Sequence, residues 1–579
     1  MSRHKRKKFA CDFETTTDPN DCRVWGYGVM EIGNEDNYKI DNSIDSFMNW
    51  CKETQADLYF HNLKFDGSFI VSWLLNNGFE HNDSGHANTF DTVISNMGQW
   101  YKIIICYGYK GKKKLQTTIY DSLKKLPFSV DRIGKAFNLA TLKIDVDEEF
   151  YKRYRPVGHK ITDEEYQYIK HDIKVIAGAL KIQFEQGLTN MTAGSDSLHG
   201  YKASISTKLY NKYFPTFSIE LDSNLRLAYK GGFTWLNKKY AHKDIDGGIV
   251  FDVNSLYPAM MYDKDLPYGE PIPYYGEYIE DSTFPLYIQH IRCEFALKKD
   301  KIPTIQIKRD LRFNGNEYLE TSKGHRVDLY LTNVDLELMK EHYDLYDLEY
   351  VQGWKFRSKK GMFKNFIDRW TLVKTTSTGA IRELAKLMLN SLYGKFATNP
   401  DVTKRVPYLK EDGSLGFEIG DEEFKEPEYT PMGAFITAYA RYTTISSAQL
   451  CYDRVIYCDT DSLHLTGYNI PESLKDRIDP KKMGYWDYEA TFLKGRYLRQ
   501  KTYGQYVCKK YNDDGKVVGA TSEDYDFVTF EVTCSGMSDT VKEHVTWGNF
   551  HVGFKSYGSL RGKQVNGGVV LVDREFSIK

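Results

Sequence analysis

No stretch of this chain restricts its fold more than VIYCDTDSLHL, Val455 to Leu465, where Asp459 and Asp461 stand one residue apart between two apolar runs. Like charges this close repel, and burial makes the repulsion worse. Something must compensate, and a divalent cation is the first candidate. The segment predicts a hairpin whose tip carries both carboxylates.

A second acidic pairing lies near the start, in FACDFETTT. Phe9, Cys11 and Phe13 share one parity, and Asp12 and Glu14 the other. On a strand this buries one face and points both carboxylates the same way. A lone DxE is common on surface strands, but two further segments add to it. HNLKFDG supplies Asn62 and Asp66, and YQYIKHDI has helical character and sets Tyr168 and Asp172 at i, i+4 on one face. Four acids from three segments can hold two Mg²⁺ about 4 Å apart, which activate a water and stabilise a leaving alkoxide. Tyr168 then orients the water, and the chemistry is phosphodiester hydrolysis. His171 beside Asp172 also admits an HD-type metal site, although no other His has a supporting spacing.

A third constellation spans the second half. GGIVFDVNSLYPAMMY runs an apolar strand into Asp252 and then reaches Tyr257 and Pro258. LAKLMLNSLYGKFA places Lys386, Asn390 and Tyr393 at i, i+4, i+7, with Leu and Met filling the other side. A Lys–Asn–Tyr stripe is not a core face. Lys neutralises phosphate, Tyr lies under a base, and Gly394 permits close approach. Taken separately, Asp252 and the Asp459–Asp461 pair read as turn acids and the stripe as a solvated face; together they read as a triphosphate site.

At 579 residues the chain exceeds one core, so two to four domains are expected. No apolar run approaches ~18 residues, and MSRHKRKKFACDFETTT has charge but no apolar core of a secretory signal. Nine cysteines without a CxxC pair suggest neither zinc nor disulfides and fit a reducing compartment. The net charge of −1 weakens a nucleic-acid partner without excluding one, since acidic sites offset basic grooves in the sum. The 44 Tyr suit cores, interfaces and stacking on bases. The basic run Arg3 to Lys8 reads as a solvated arm or, more sharply, as a phosphate contact. LTNMTAGSDSLHG reads as a domain boundary. The long interval between Asp252 and Lys386 reads as inserted structure. KRVPYLKEDGSLGFEIG predicts a projecting hairpin after a helix stopped at Pro400.

DVNSLYP, KLMLNSLYG and YCDTDS, in this order, resemble the three polymerase motifs of family B DNA polymerases. The DxE, Asn-x3-Asp and Tyr-x3-Asp series resembles their RNase H-like 3′–5′ exonuclease domain. YKGGF (Tyr229, Gly231, Gly232) resembles the YxGG link between the two domains, KTY (Lys501, Tyr503) the KxY motif, and TAYAR (Thr437, Arg441) a primer-strand contact. Cys458 where the broader family usually has Gly, the short chain and the two insertions resemble the protein-primed polymerases of small Bacillus phages.

That resemblance implies a multidomain α/β (α+β) protein. It assigns residues 1–192 to the exonuclease, 193–263 and 430–533 to the palm, 362–398 to the fingers and 534–579 to the thumb. Insertions at 264–361 and 399–429 would contact a terminal protein primer and enclose the DNA, respectively. It makes Asp252 and Asp461 the polymerase metal ligands with Asp459 assisting, two Mg²⁺ per active site, Mn²⁺ able to substitute. Lys374 and Lys386 would contact triphosphate beside Asn390, Tyr393 and Gly394. Tyr257 would pack under the sugar and exclude a 2′-OH. Lys501, Tyr503, Thr437 and Arg441 would hold the primer. In the exonuclease, Asp12, Glu14, Asp66 and Asp172 would bind metals, with Tyr168 and Lys143 (in TLKID) assisting. Thr15, His61, Asn62, Phe65, Ser122 and Leu123 (in SLKKL) would grip single-stranded DNA. The implied function is replicative, processive, strand-displacing, protein-primed DNA synthesis with proofreading. Implied partners are DNA, dNTPs, a terminal protein and a single-stranded DNA-binding protein, and the implied setting is a monomer in the cytoplasm of an infected bacterium. An RNA- or DNA-primed family B polymerase, a stand-alone nuclease and a non-enzymatic strand binder are the alternatives. The insertions and brevity count against the first, the polymerase motifs against the second, and the paired acids against the third.

Overall fold

The computed structural model describes residues 6–308, 310–508, 510–511, 517–518 and 528–579; Arg3 to Lys5 of the basic run lie outside the described residues. The DxE segment forms strand Lys8–Thr15, with Phe9, Cys11 and Phe13 buried as its alternation predicts. It runs antiparallel to Val24–Glu31 and parallel to Asp57–Phe60, which in turn pairs in parallel with Lys113–Asp121. Parallel strands deliver their following residues to one sheet edge, so Glu14, His61 and Ser122 emerge together. This sheet has eight strands. Helix Asp163–Glu185 opens on a capping box between Thr162 and Glu165 and packs across the two antiparallel strands. Gly28 makes that approach possible, because a Cβ there would come within 2.6 Å of the Ile169 side chain.

Strand Gly248–Val253 lies inside a second sheet, between Ser462–Thr466 and Trp486–Arg499 and antiparallel to both. Val455–Asp459 and Ser462–Thr466 form the expected hairpin, with Asp459 opposite Ser462, so that Thr460 and Asp461 make a two-residue turn. Thr460 accepts a left-handed φ of 58° there. Helices Gly379–Phe396 and Thr430–Leu450 bury their apolar faces in the same core cluster as Phe251 and Leu463.

Between Asp252 and Lys386 stands an inserted four-stranded antiparallel sheet of Leu266–Tyr275, Leu286–Leu297, Val327–Thr332 and Tyr343–Lys359, with helix Asn333–His342. The second hairpin forms as predicted, Arg405–Leu409 against Leu415–Ile419, with Gly413 at φ 77° in its turn. It does not project freely. Leu415 is buried in the core of the N-terminal sheet, Phe417 meets Trp100 edge-on at 5.9 Å, and Asn96 donates to Asp401 at 2.8 Å. The C-terminal hairpin, Lys555–Val565 with Gly568–Ser577, packs on the same region: Val569 and Val570 join that core and Gln564 donates to Ser68 at 3.1 Å. An apolar face on each hairpin requires burial, and the N-terminal domain supplies it.

LTNMTAGSDSLHG, read as a boundary, is tied to the N-terminal sheet region. Thr192 caps helix Ala193–Ser204, and Asp196 forms a fully buried 2.6 Å ion pair with Lys125 of the N-terminal domain. The nine cysteines are buried and form no disulfide, and among the described residues no helix is long and apolar enough to cross a membrane.

Candidate active sites

Asp12, Glu14, Thr15, His61, Phe65, Lys143, Tyr168 and Asp172 line one cavity of about 270 Å³ beside the N-terminal sheet. Asp66 is buried just behind, on helix Leu63–Asn76. Burial pushes the Asp12 carboxyl up to about 7, with Asp172 adding to the shift. Glu14 and Asp66 are raised by burial and then by Asp12, and Asp172 is raised by burial although Lys143 opposes it. These carboxyls resist ionisation because too little positive charge faces them. Lys143 is the nearest cation: its Nζ donates to Asp172 and, at 3.1 Å, to Tyr168 Oη, which also bonds Tyr151 Oη at 2.9 Å. Asp172 Oδ1 is buried with no hydrogen-bond partner. Among the described residues no three acidic, His or Cys side chains already form a cation cage. The fit to a divalent cation rests instead on the orphaned Oδ1, the all-oxygen donor set and the raised carboxyls.

Single-strand contacts need side chains free to face the cavity. Thr15 and Phe65 line it, and Asn62 is exposed at the helix start with φ 69°. Ser122 does not line the cavity. It is fully buried, and its hydroxyl donates to the Phe60 carbonyl and lies 3.0 Å from His61 Nδ1, while Phe128 O lies 2.8 Å from His61 Nε2. Ser122 thus positions His61. Leu123 is half-buried and is held through its backbone N–H, which donates to Asp121. Asp121 was missed by sequence reasoning. Its carboxylate also accepts from the Asn62 and Leu63 amides and so ties SLKKL to HNLKFDG. Its place at the end of a strand beside the motif was the available signal.

The second group is assembled at the edge of the other sheet. Asp252, Asp461, Tyr257, Lys374, Lys386, Asn390 and Tyr393 line a cavity of about 430 Å³. Gly394 is exposed, with open space where a Cβ would stand. Burial, then Asp461, pushes the Asp252 carboxyl up to about 8, and Asp461 is raised by burial and Asp459. Asp459 is not in the cavity lining. Tyr457 Oη and Thr234 Oγ1 donate to it, each at 2.9 Å, and Lys501 Nζ pairs with it at 3.1 Å, which suits a supporting place. Opposite Asp252 on the neighbouring strand stands Asp487, with Glu489 two residues on, and both add to the Asp252 shift. Sequence reasoning missed them, although WDYE repeats the DxE parity of Asp12 and Glu14. Tyr257 and Tyr393 stack at 4.0 Å, and Lys374 donates to Ser255 Oγ at 3.2 Å. Ser255, Thr460 and Lys501 all hold left-handed backbone, a concentration of strain typical of functional sites.

YKGGF abuts the hairpin tip: a Cβ on Gly232 would meet Thr460 Oγ1 at 2.5 Å, whereas Gly231 faces open space. Tyr229 is half-buried, as is Tyr503, which packs on Tyr457 and Tyr497. Lys501 is exposed. Thr437 and Arg441 do not line the cavity. Thr437 is buried and its hydroxyl donates to carbonyls of its own helix. Arg441 is 2% exposed, forked onto Asp335 and donating at 2.9 Å to the carbonyls of Lys230 and Gly231. Arg441 thereby ties the YKGGF loop to helix Asn333–His342.

The chain belongs to the type B DNA polymerases of organelles and viruses, whose family profile matches residues 48–480. It is accordingly an enzyme, a DNA polymerase, and within that family it is of the phi29 type. It is 62% identical to the DNA polymerase of Bacillus phage B103 over 99% of this chain and 100% of that one. It is 61% identical to that of Bacillus phage phi29 over the whole of both, and 33% identical to that of Streptococcus phage Cp-1 over 99% and 98%. The solved structure of phi29 DNA polymerase complexed with primer-template DNA and incoming nucleotide substrates superposes with a TM-score of 0.94, at 60% identity, over 99% of this chain and 100% of that one. A multidomain α/β fold with the expected family resemblance is thus established.

Proposed function

We propose that this polymerase replicates phage DNA from a protein primer in the host cytoplasm, processively and with strand displacement, and that its N-terminal site removes 3′ nucleotides. One observation carries the reading: two groups of acids with raised carboxyls line separate cavities on separate sheets, the first beside Lys143 and the second beside Lys374 and Lys386. In the first chemistry Asp252 and Asp461 would hold Mg²⁺; in the second Asp12, Glu14, Asp66 and Asp172 would. When bound, the cations favour an oxygen nucleophile at neutral pH and stabilise the leaving oxygen. The chain's own residues do the rest. Lys374 and Lys386 neutralise triphosphate charge, the Tyr257–Tyr393 stack floors the sugar and the new base, and Lys501 steadies the primer end beside Asp459. In the other cavity Tyr168, fixed by Tyr151 and Lys143, orients the attacking water, while Phe65, Thr15 and Asn62 hold the frayed strand.

The inserted sheet between residues 266 and 359 is the proposed seat of the terminal protein. The contact of both C-terminal-half hairpins with the N-terminal domain supports an enclosed path for DNA, which slows dissociation without base contacts. A downstream passage narrow enough for one strand would make displacement follow. The test separates the chemistries. Asp12→Ala with Asp66→Ala abolishes degradation of single-stranded DNA and leaves primer extension, and Asp461→Ala does the reverse. Loss of both activities from either change, with the fold intact by circular dichroism, contradicts two sites.

A further inference from the structure

Lys386, on the cavity face of helix Gly379–Phe396, is already engaged. Its Nζ donates to Glu383 Oε1 at 2.6 Å, one turn back along the helix. The pair is half-buried, with Glu383 20% and Lys386 37% exposed. Two further cations stand near it: burial, Lys386 and Arg382 all depress the Lys374 ammonium, and Glu383 opposes them. A stripe that receives a tetra-anionic triphosphate gains nothing in affinity from an acid beside its central lysine.

We propose that Glu383 is a positioning residue that holds Lys386 between turnovers. Lys386 leaves it when a nucleoside triphosphate enters and returns to it as pyrophosphate departs. Glu383 thereby weakens triphosphate binding and speeds product release. This rests on the reading of the Lys374–Lys386 cavity as the triphosphate site. It adds an acid that the resemblance to family B polymerases did not assign. Ion pairs of this i, i+3 kind and exposure contribute on the order of 0.5–1 kcal/mol, which is about a 2- to 5-fold change in an equilibrium constant.

The experiment is steady-state single-nucleotide addition by the full chain, with dNTP and then pyrophosphate varied. Glu383→Gln lowers KM for dNTP about 2- to 5-fold and lowers the inhibition constant of pyrophosphate by a similar factor, the shift in KM exceeding any change in kcat. Glu383→Asp, which keeps the charge, moves both constants less. In a Lys386→Gln background, Glu383→Gln no longer lowers KM. An unchanged or raised KM in the Glu383→Gln variant overturns the proposal. So does an equal lowering in the Lys386→Gln background, because that assigns the effect to the general field of the cavity and not to the pair. If Lys386→Gln itself leaves KM for dNTP unmoved, the triphosphate reading of the cavity fails, and the proposal fails with it.

Discussion

Replacing Asp335 with Ala tests how the YKGGF loop is held. Asp335 lies on helix Asn333–His342 of the inserted sheet, Arg441 on helix Thr430–Leu450, and the two carbonyls that Arg441 also bonds belong to Lys230 and Gly231. One guanidinium therefore joins three parts of the chain. Its bonds to Asp335 measure 2.8, 2.8 and 3.1 Å, and the side chains are 2% and 10% exposed. Breaking a buried ion pair by removing one partner costs about 3–5 kcal/mol. The two carbonyls still solvate part of the stranded charge, which places the cost near the lower end, about 3 kcal/mol. Lys230 adds to it: burial already pushes its ammonium down to about 8, and Asp335 is the neighbour that opposes this shift. A loss of about 3 kcal/mol corresponds to a roughly 100-fold increase in local opening and to a fall in melting temperature of about 6–12 °C for the unit concerned. The assays are calorimetry and amide hydrogen exchange over residues 230–236. Primer extension should fall, whereas degradation of single strands, carried out on the other sheet, should persist. The double variant Asp335→Leu with Arg441→Met should recover at least half of the lost stability, since it leaves no charge unpaired. A melting shift under about 2 °C for Asp335→Ala, or a double variant no better than the single, refutes the reasoning.

Lys143→Gln removes the ammonium between Tyr168 and Asp172; single-strand degradation should fall about 100-fold, by analogy with loss of one charge-stabilising donor, while extension continues. Chelated protein should lose stability as pH rises. The folded carboxyls of Asp12 and Asp252, at about 7 and about 8, lie above the ordinary value of 3.8, so their contribution is fully present below 3.8 and is lost as pH climbs through 7–8. Melting with EDTA should therefore fall between pH 5 and 8 and flatten on adding Mg²⁺, and a rise with pH under EDTA would contradict the assignment. Leu415→Asp places a charge in the core shared by the second hairpin and the N-terminal sheet. Products made in a single binding event should shorten, with single-nucleotide addition spared, and unchanged lengths would reject an enclosing role.

Much of this arrangement was legible wherever periodicity and charge point to one answer. Alternation placed Asp12 and Glu14 on one face of a strand because Phe9, Cys11 and Phe13 require burial on the other. The helical stripe of Lys386, Asn390 and Tyr393 faces the cavity for the same reason, with Leu389 and Leu392 buried behind it. What escaped depends on tertiary partners. TAYAR gives no sign that Arg441 pairs with Asp335 from the inserted sheet. SLKKL gives no sign that the end of the parallel strand Asp57–Phe60 brings His61 against Ser122. The second hairpin reads as projecting because it follows a helix stopped at Pro400, yet Leu415 and Phe417 find an apolar surface about 300 positions away in the chain. Asp487 and Glu489 were legible as an alternating pair, but nothing local indicates that their strand would lie beside Asp252.

The most direct test of two separate cation-holding sites is anomalous diffraction from crystals of the full chain grown with Mn²⁺, one set carrying primer-template DNA and a non-hydrolysable dNTP, the other a single-stranded oligonucleotide. Manganese peaks should stand between Asp252 and Asp461 in the first set and among Asp12, Glu14, Asp66 and Asp172 in the second. Loaded crystals with no manganese at either group of carboxylates would contradict the account.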